Sequence, residues 1–243
     1  MKPIMWIFSG LLLTLLVLAA GISHGSAGTV TPTPMPTPSG VVLFEDDFST
    51  FSSRWREPQT AKAVVAYDNE GLRMQVNSPD VAVWSVPDFD VPLANYHAEV
   101  TVTFVDGSRA SFFGWVVFYE SDENFVTVGI TPDGDWQVRT WQDGIVLDIP
   151  PEDAAPGETG GAFTLEPGQT TFSIQLDVQS TTLCLVVNNA EPVVFVLDER
   201  PAGESFGLFA QAREGEESGS GFVDIVFDDV LVIDWLERAQ DDE

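Results

Sequence analysis

Between Val41 and Trp235 apolar side chains recur at every second position in short runs, and no stretch sustains helical spacing long enough to require a helix. A strand points successive side chains to opposite faces, so the pattern predicts strands with one oily and one wetted side. It places them at Val41–Phe48, Ala63–Tyr67, Gly71–Val76, Val81–Val86, Tyr96–Val105, Ala110–Glu120, Phe125–Thr131, Trp136–Trp141, Gly144–Ile149, Thr170–Val178, Thr182–Asn188, Pro192–Leu197, Ser205–Gln211 and Gly221–Trp235. Asp68-Asn69-Glu70-Gly71, Pro132-Asp133-Gly134-Asp135, Asp143-Gly144 and Asn188-Asn189 supply turns between them. Many short strands with polar turns predict an all-β fold, an antiparallel β-sandwich over residues 41–236. The acidic, glycine-rich stretches Pro150 to Gly161 and Glu214 to Gly221 read as surface loops.

The alternation does not extend to the N-terminus. Lys2 precedes an apolar run from Ile4 to Ala20, and small residues collect at Gly25-Ser26-Ala27. Residues 1–27 therefore read as a signal peptide or an N-terminal membrane anchor, formed as an apolar helix; the run of 17 residues, diluted by Ser9, Gly10 and Thr14, is slightly longer than a usual signal core and slightly short of the roughly 20 of a span. Either way Lys2 stays inside and the body is exported, to the extracellular space or cell surface. Residues 28–40 carry Pro32, Pro34, Pro36 and Pro38 interleaved with Thr31, Thr33, Met35 and Thr37, a disordered Thr/Pro linker with an extended, polyproline-like path. Residues 237–243 form a polar, acidic tail.

Composition narrows the partners. With 38 Asp and Glu against 10 Lys and Arg, the formal charge is −28, and a surface of that sign repels nucleic acid and anionic lipid. Membrane contact is thus expected only through an uncleaved N-terminal segment. Cys184 is the single cysteine, which rules out an internal disulfide and leaves stability to burial.

Several motifs carry a resemblance. Glu45-Asp46-Asp47-Phe48 followed by Trp55, then Tyr119-Glu120-Ser121-Asp122-Glu123-Asn124-Phe125, Gly134-Asp135-Trp136, Gly207-Leu208-Phe209 and Phe227-Asp228-Asp229-Val230 occur in one order across nearly the whole domain. In this the chain resembles concanavalin A-like, laminin-G-like jelly rolls, especially the secreted bacterial branch related to 3-keto-disaccharide hydrolase-like domains. The resemblance implies a curved sandwich whose concave sheet often holds glycans, with first and last strands side by side. It also implies structural calcium near that junction, for which Glu45, Asp46 and Asp228 are the candidate ligands. The glucanase motif Glu-x-Asp-x-x-Glu is absent: Glu45-x-Asp47 runs on to Thr50 and Glu120-x-Asp122 to Phe125.

Alternation also sorts candidate chemistry by face. Gln137, Arg139 and Trp141 oppose Trp136 and Val138; Glu99, Thr101 and Thr103 oppose Val100, Val102 and Phe104; Gln175 opposes Ile174 and Leu176; Arg73 and Gln75 oppose Leu72, Met74 and Val76. Sugars stack C–H groups on indole and present hydroxyls to paired donors and acceptors, so Arg73, Gln75, Glu99, Gln137, Arg139, Trp141 and Gln175 are candidate ligand-binding residues. Trp115 joins them as a ring, although Phe112 to Tyr119 is apolar on both faces, which favours the core for it.

Catalytic parts are scarce. His24 and His97 are the only histidines, and neither a Gly-x-Ser-x-Gly elbow nor a His-Glu-x-x-His pair occurs. Cys184, inside Leu183-Cys184-Leu185-Val186-Val187, reads as a small buried residue rather than a nucleophile. The expectation is an exported, non-catalytic module binding carbohydrate or another surface polymer. The alternatives are a secreted glycoside hydrolase with paired carboxylates, or a purely structural envelope or adhesion domain.

Overall fold

The computed structural model describes residues 40–50, 54–68, 71–89, 91–152, 160–215 and 221–235. The expected leader, most of the linker, and the acidic tail lie outside them.

Period-two alternation produces strands throughout. Those of the first half are β1 (Val42–Asp46), β2 (Ala63–Asp68), β3 (Gly71–Val76), β4 (Ala82–Ser85), β5 (Tyr96–Gly107), β6 (Phe112–Ser121) and β7 (Asn124–Ile130). They are followed by β8 (Asp135–Gln142), β9 (Ile145–Asp148), β10 (Gly161–Ala162), β11 (Thr171–Gln179), β12 (Thr182–Val187), β13 (Val193–Val196), β14 (Ser205–Gln211) and β15 (Val223–Asp234). All fourteen expected strands form, with ends shifted by a few residues. The two-residue β10 has no alternation to betray it and is recruited by pairing Gly161 with Trp136.

Two antiparallel sheets result. The first runs β13-β12-β11-β5-β15-β3-β2, with β1 also on β15; the second runs β10-β8-β7-β6-β14-β4, with β9 on β8. The first and last strands are neighbours, as expected: Phe44 faces Val232 and Asp46 faces Val230. Long β15 borders β5 along its length and gives its other edge to β3 at one end and to β1 at the other. This is the concanavalin A-like jelly-roll arrangement.

The oily faces meet between the sheets. Val100, Val102, Phe172, Ile174, Leu176 and Phe227 from the first sheet and Phe113, Trp115, Val128, Val138, Phe206 and Leu208 from the second all lie in one buried core. Rings bridge the layers: Phe113 to Phe172 at 5.7 Å, Phe44 to Phe206 at 5.2 Å and Trp136 to Phe195 at 5.2 Å between centroids. Trp115 belongs here. It is 0% exposed, and its indole N–H donates to the Ile174 carbonyl across the layer at 3.3 Å. Its candidacy as a ligand-binding ring is therefore corrected, because the indole is enclosed between two sheets.

Two bulges reset the alternation. At Asp229 (φ 51°) an extra residue lets Phe227 and Val230 both face the core, although strict alternation would turn one of them outward. At Phe118 (φ 51°) the same device sends Phe118 inward and Tyr119 outward. A bulky residue in the left-handed region costs about 1–3 kcal/mol, a strain that the buried Phe118 ring offsets.

Replacing the bridging indole tests the layer. Trp115→Ala is expected to lower unfolding stability by about 3–5 kcal/mol in urea denaturation; a loss below about 1 kcal/mol would place Trp115 outside the core.

Candidate functional site

The outward faces of the two sheets are separate surfaces, and the sequence candidates divide between them. Arg73, Gln75, Glu99 and Gln175 lie on the first sheet, and Gln137, Arg139 and Trp141 on the second.

On the first sheet the polar residues mainly satisfy one another. Arg73 makes a two-pronged pair with Asp224 (2.8 and 2.6 Å) and reaches Asp68 at 3.0 Å, while Gln75 donates to Asp224 at 2.9 Å. These bonds hold the Arg73 guanidinium more firmly protonated than usual, with Asp224 the larger influence. His97 is gripped from both sides, with Nδ1 2.6 Å from Asp177 and Nε2 2.8 Å from Glu99. Burial by itself would lower its pKa, but hydrogen bonds to the two carboxylates raise it to about 9. The same contact holds Glu99 below its ordinary value. Cys184 is half-buried on this outward face rather than in the core, and burial followed by nearby Asp177 pushes its thiol up to about 11. That leaves it a poor nucleophile at neutral pH.

The calcium candidates do not converge on one point. Glu45 is exposed, whereas Asp46, its neighbour on β1, is buried and turned to the opposite face. There Asp46 accepts from the Phe48 amide at 2.9 Å and the Trp55 indole at 3.1 Å. Asp228 is raised above its usual value, first by burial and then by neighbouring Asp229 and Asp47. Among the described residues no cluster of three or more His, Cys, Asp or Glu is arranged to hold a metal.

The second sheet's outward face is built differently. Trp141 of β8 lies opposite Phe125 of β7 and stacks on it at 5.3 Å and 16°, and Trp84 of β4 packs on Phe125 at 5.0 Å and lies 6.4 Å from Trp141. Phe125 is 1% exposed, and the two half-buried indoles form one three-ring cluster with it. Hydrogen bonds orient both indoles: Trp141 donates to Thr127 at 3.4 Å and Trp84 to Asp122 at 3.1 Å. Tyr119, delivered by the bulge, also donates to Asp122 at 2.7 Å and accepts from Arg56 at 3.0 Å. These bonds to Tyr119 and Trp84, with the Arg56 charge behind them, hold Asp122 below the usual carboxylate range.

Beside the rings lies a polar row. Arg139 donates to Asp148 at 2.7 Å and to Gln211 at 3.3 Å; Gln137 donates to Asp148 at 3.1 Å and accepts from Arg213 at 3.4 Å. Below it, Gly114 and Gly129 face each other across β6 and β7, and Phe209 lies over them. A Cβ at Gly129 would stand 2.6 Å from the Phe209 ring, so only glycine permits that floor. Two clefts border the aromatic row. One of about 570 Å3 includes Arg56, Glu57, Pro58, Trp84 and Asp122; the other, of about 410 Å3, includes Phe125, Trp141, Leu147, Asp198 and Arg200.

Sequence reading found Gln137, Arg139 and Trp141 here but missed Trp84, Phe125, Tyr119, Gln211 and Arg213. One signal was present: Phe112 to Tyr119 is apolar on both faces, and in the fold its outward Phe112, Val116 and Tyr119 join Val86, Phe125 and Phe209 in a second apolar cluster.

No family model matches the sequence, and no curated protein sequence matches it. Solved structures do share the fold. A family 66 carbohydrate-binding module from Bacillus subtilis aligns with a TM-score of 0.53 at 12% identity, over 74% of this chain and 94% of its own. A galectin-like protein of unknown function from Bacillus subtilis aligns at 0.51 and 10% identity, over 82% and 98%. The catalytic domain of an endo-1,3-β-glucanase (laminarinase) from Thermotoga petrophila aligns at 0.52 and 9% identity, over 83% and 100%. At these identities the likeness concerns the fold, one used by carbohydrate-binding and carbohydrate-cleaving proteins alike.

The His97 contacts predict a pH dependence. Because its folded pKa lies above the ordinary 6.5, the stabilisation is complete below about pH 6.5 and is lost as pH rises through about 9. Melting temperature is expected to fall across that window and the fall to flatten in His97→Gln; equal slopes in both proteins would refute the assignment.

Proposed function

We propose that this protein is an exported module that binds carbohydrate on the outward face of its second sheet without turning it over. The observation that carries the reading is the adjacency of two supported indoles, Trp84 and Trp141, with a row of side-chain donors and acceptors from Gln137, Arg139, Gln211 and Arg213. Sugar rings need this combination, since their C–H faces stack on π-systems while their hydroxyls must exchange water for directed hydrogen bonds. Such a surface arrives pre-organised, which reduces the ordering cost of binding. The fold shared with a carbohydrate-binding module supports the reading. The first sheet's outward face offers less, because Arg73, Gln75 and Glu99 are already paired within the protein.

A second reading draws on the larger cleft, where Glu57 and Asp122 stand beside Trp84 as the two carboxylates a glycoside hydrolase requires. Asp122, held ionised, suits the base or nucleophile and not the acid. Release of reducing sugar by the wild type, abolished in Asp122→Asn or Glu57→Gln, would establish this reading in place of simple binding.

For the binding reading, Trp141→Ala and Trp84→Ala are each expected to weaken retention on oligosaccharides by about tenfold or more, which is about 1.4 kcal/mol. Gln175→Ala on the opposite face serves as the comparison and should leave retention unchanged. Calorimetric titration in which Gln175→Ala abolishes binding while both Trp variants retain it would move the site to the other sheet.

A further inference from the structure

The polar row on the second sheet is short of negative charge in a chain whose acids outnumber its bases 38 to 10. Arg139 and Arg213 share the surroundings of one acid, Asp148, which accepts from Arg139 Nε and Gln137 Nε2. Arg213 makes no ion pair among the described residues: Nη2 donates to the neutral Gln137 Oε1 at 3.4 Å, and its guanidinium lies 4.9 Å over the Phe112 ring. Its closest acidic influences are Asp148 and Asp80, acting only at a distance. Arg139 Nη2, Arg213 Nε and Nη1, and Gln211 Nε2 donate to no described protein atom, so the row presents spare N–H groups from two cations and an amide.

A half-buried cation such as Arg213, without an ion pair among the described residues, is costly, and in a chain of formal charge −28 a partner carboxylate would have been easy to supply. Burial and the nearby charge of Arg139 push Arg213 below the ordinary guanidinium value, which shows the two cations acting on each other. A planar fork with free N–H groups matches a carboxylate bidentately, better than it matches a hydroxyl.

We propose that Arg139, Arg213 and Gln211 form a subsite for the carboxylate of a uronic acid residue within the bound saccharide. The inference rests on the glycan reading and adds the sugar class. It further requires that the acid be isolated along the saccharide. Screening confines the attraction of the two arginines to about 8 Å at physiological salt, beyond which the acidic surface opposes a dense polyanion.

The test uses the whole protein on an array of oligosaccharides, each bearing a single uronate and matched to its own carboxyl-reduced form, with titration calorimetry on the best binder. The wild type is expected to prefer the acid form by about tenfold or more, the preference fading with salt. Arg213→Gln and Arg139→Gln should erase the preference, lowering affinity for the acid form by about tenfold more than for the reduced form, so that the two forms bind alike. Arg213→Lys, which retains charge without the fork, should restore part of it and guards against a misfolded Gln variant. Equal affinity for acid and reduced forms, with both lost in Trp141→Ala, overturns the uronate subsite and leaves glycan binding standing. Silence across both sets overturns the glycan reading itself.

Discussion

Everything in this domain depends on the apolar layer between its two sheets. With Cys184 alone no disulfide can help, and half-oily strands are stable only when a second sheet covers them. The layer uses large rings that reach across, among them Phe113 against Phe172 and Trp115 hydrogen-bonded to Ile174. β15 carries much of the assembly by lining β5 and receiving both β1 and β3, so the last described strand gathers the first. The bulge at Asp229 follows from this demand, since β15 must stay apolar inward over twelve residues.

Once the inner faces are spent on stability, the outer faces are free to differ, and they do. The first is polar and internally paired, a lattice of Arg73, Asp224, His97 and Asp177 that fastens neighbouring strands. The second carries an aromatic cluster of its own outside the core, with indoles held in place by Thr127 and Asp122. A stable sandwich does not require a ring cluster on its wetted side. Its presence there, next to paired donors and acceptors, distinguishes this face from the internally paired one and supports the proposed binding role.

Charge distribution sharpens that contrast. Acidic residues outnumber basic ones by 38 to 10, yet Arg56, Arg139 and Arg213 of these few cations collect on the face that bears the rings. Basic groups placed against the prevailing field act locally, over distances shorter than the screening length.

The sequence alone determined the strands and the two-sided character of each, because pleat geometry ties side-chain direction to residue parity. It therefore separated Gln137, Arg139 and Trp141 from Trp136 and Val138 correctly, and likewise Arg73 and Gln75 from Leu72 and Met74. Parity cannot say which sheet a strand joins. Only tertiary pairing set Arg73, Glu99 and Gln175 on one outer surface and Trp141 on the other, drew Trp84 from β4 across to Phe125, and enclosed Trp115. Tyr119 escaped for a related reason: a bulge inverts parity, and its cause lies in neighbouring strands rather than in the local chain. Local alternation is written residue by residue, whereas the site is made by contacts between segments far apart in the chain, which exist only after the sheets have closed.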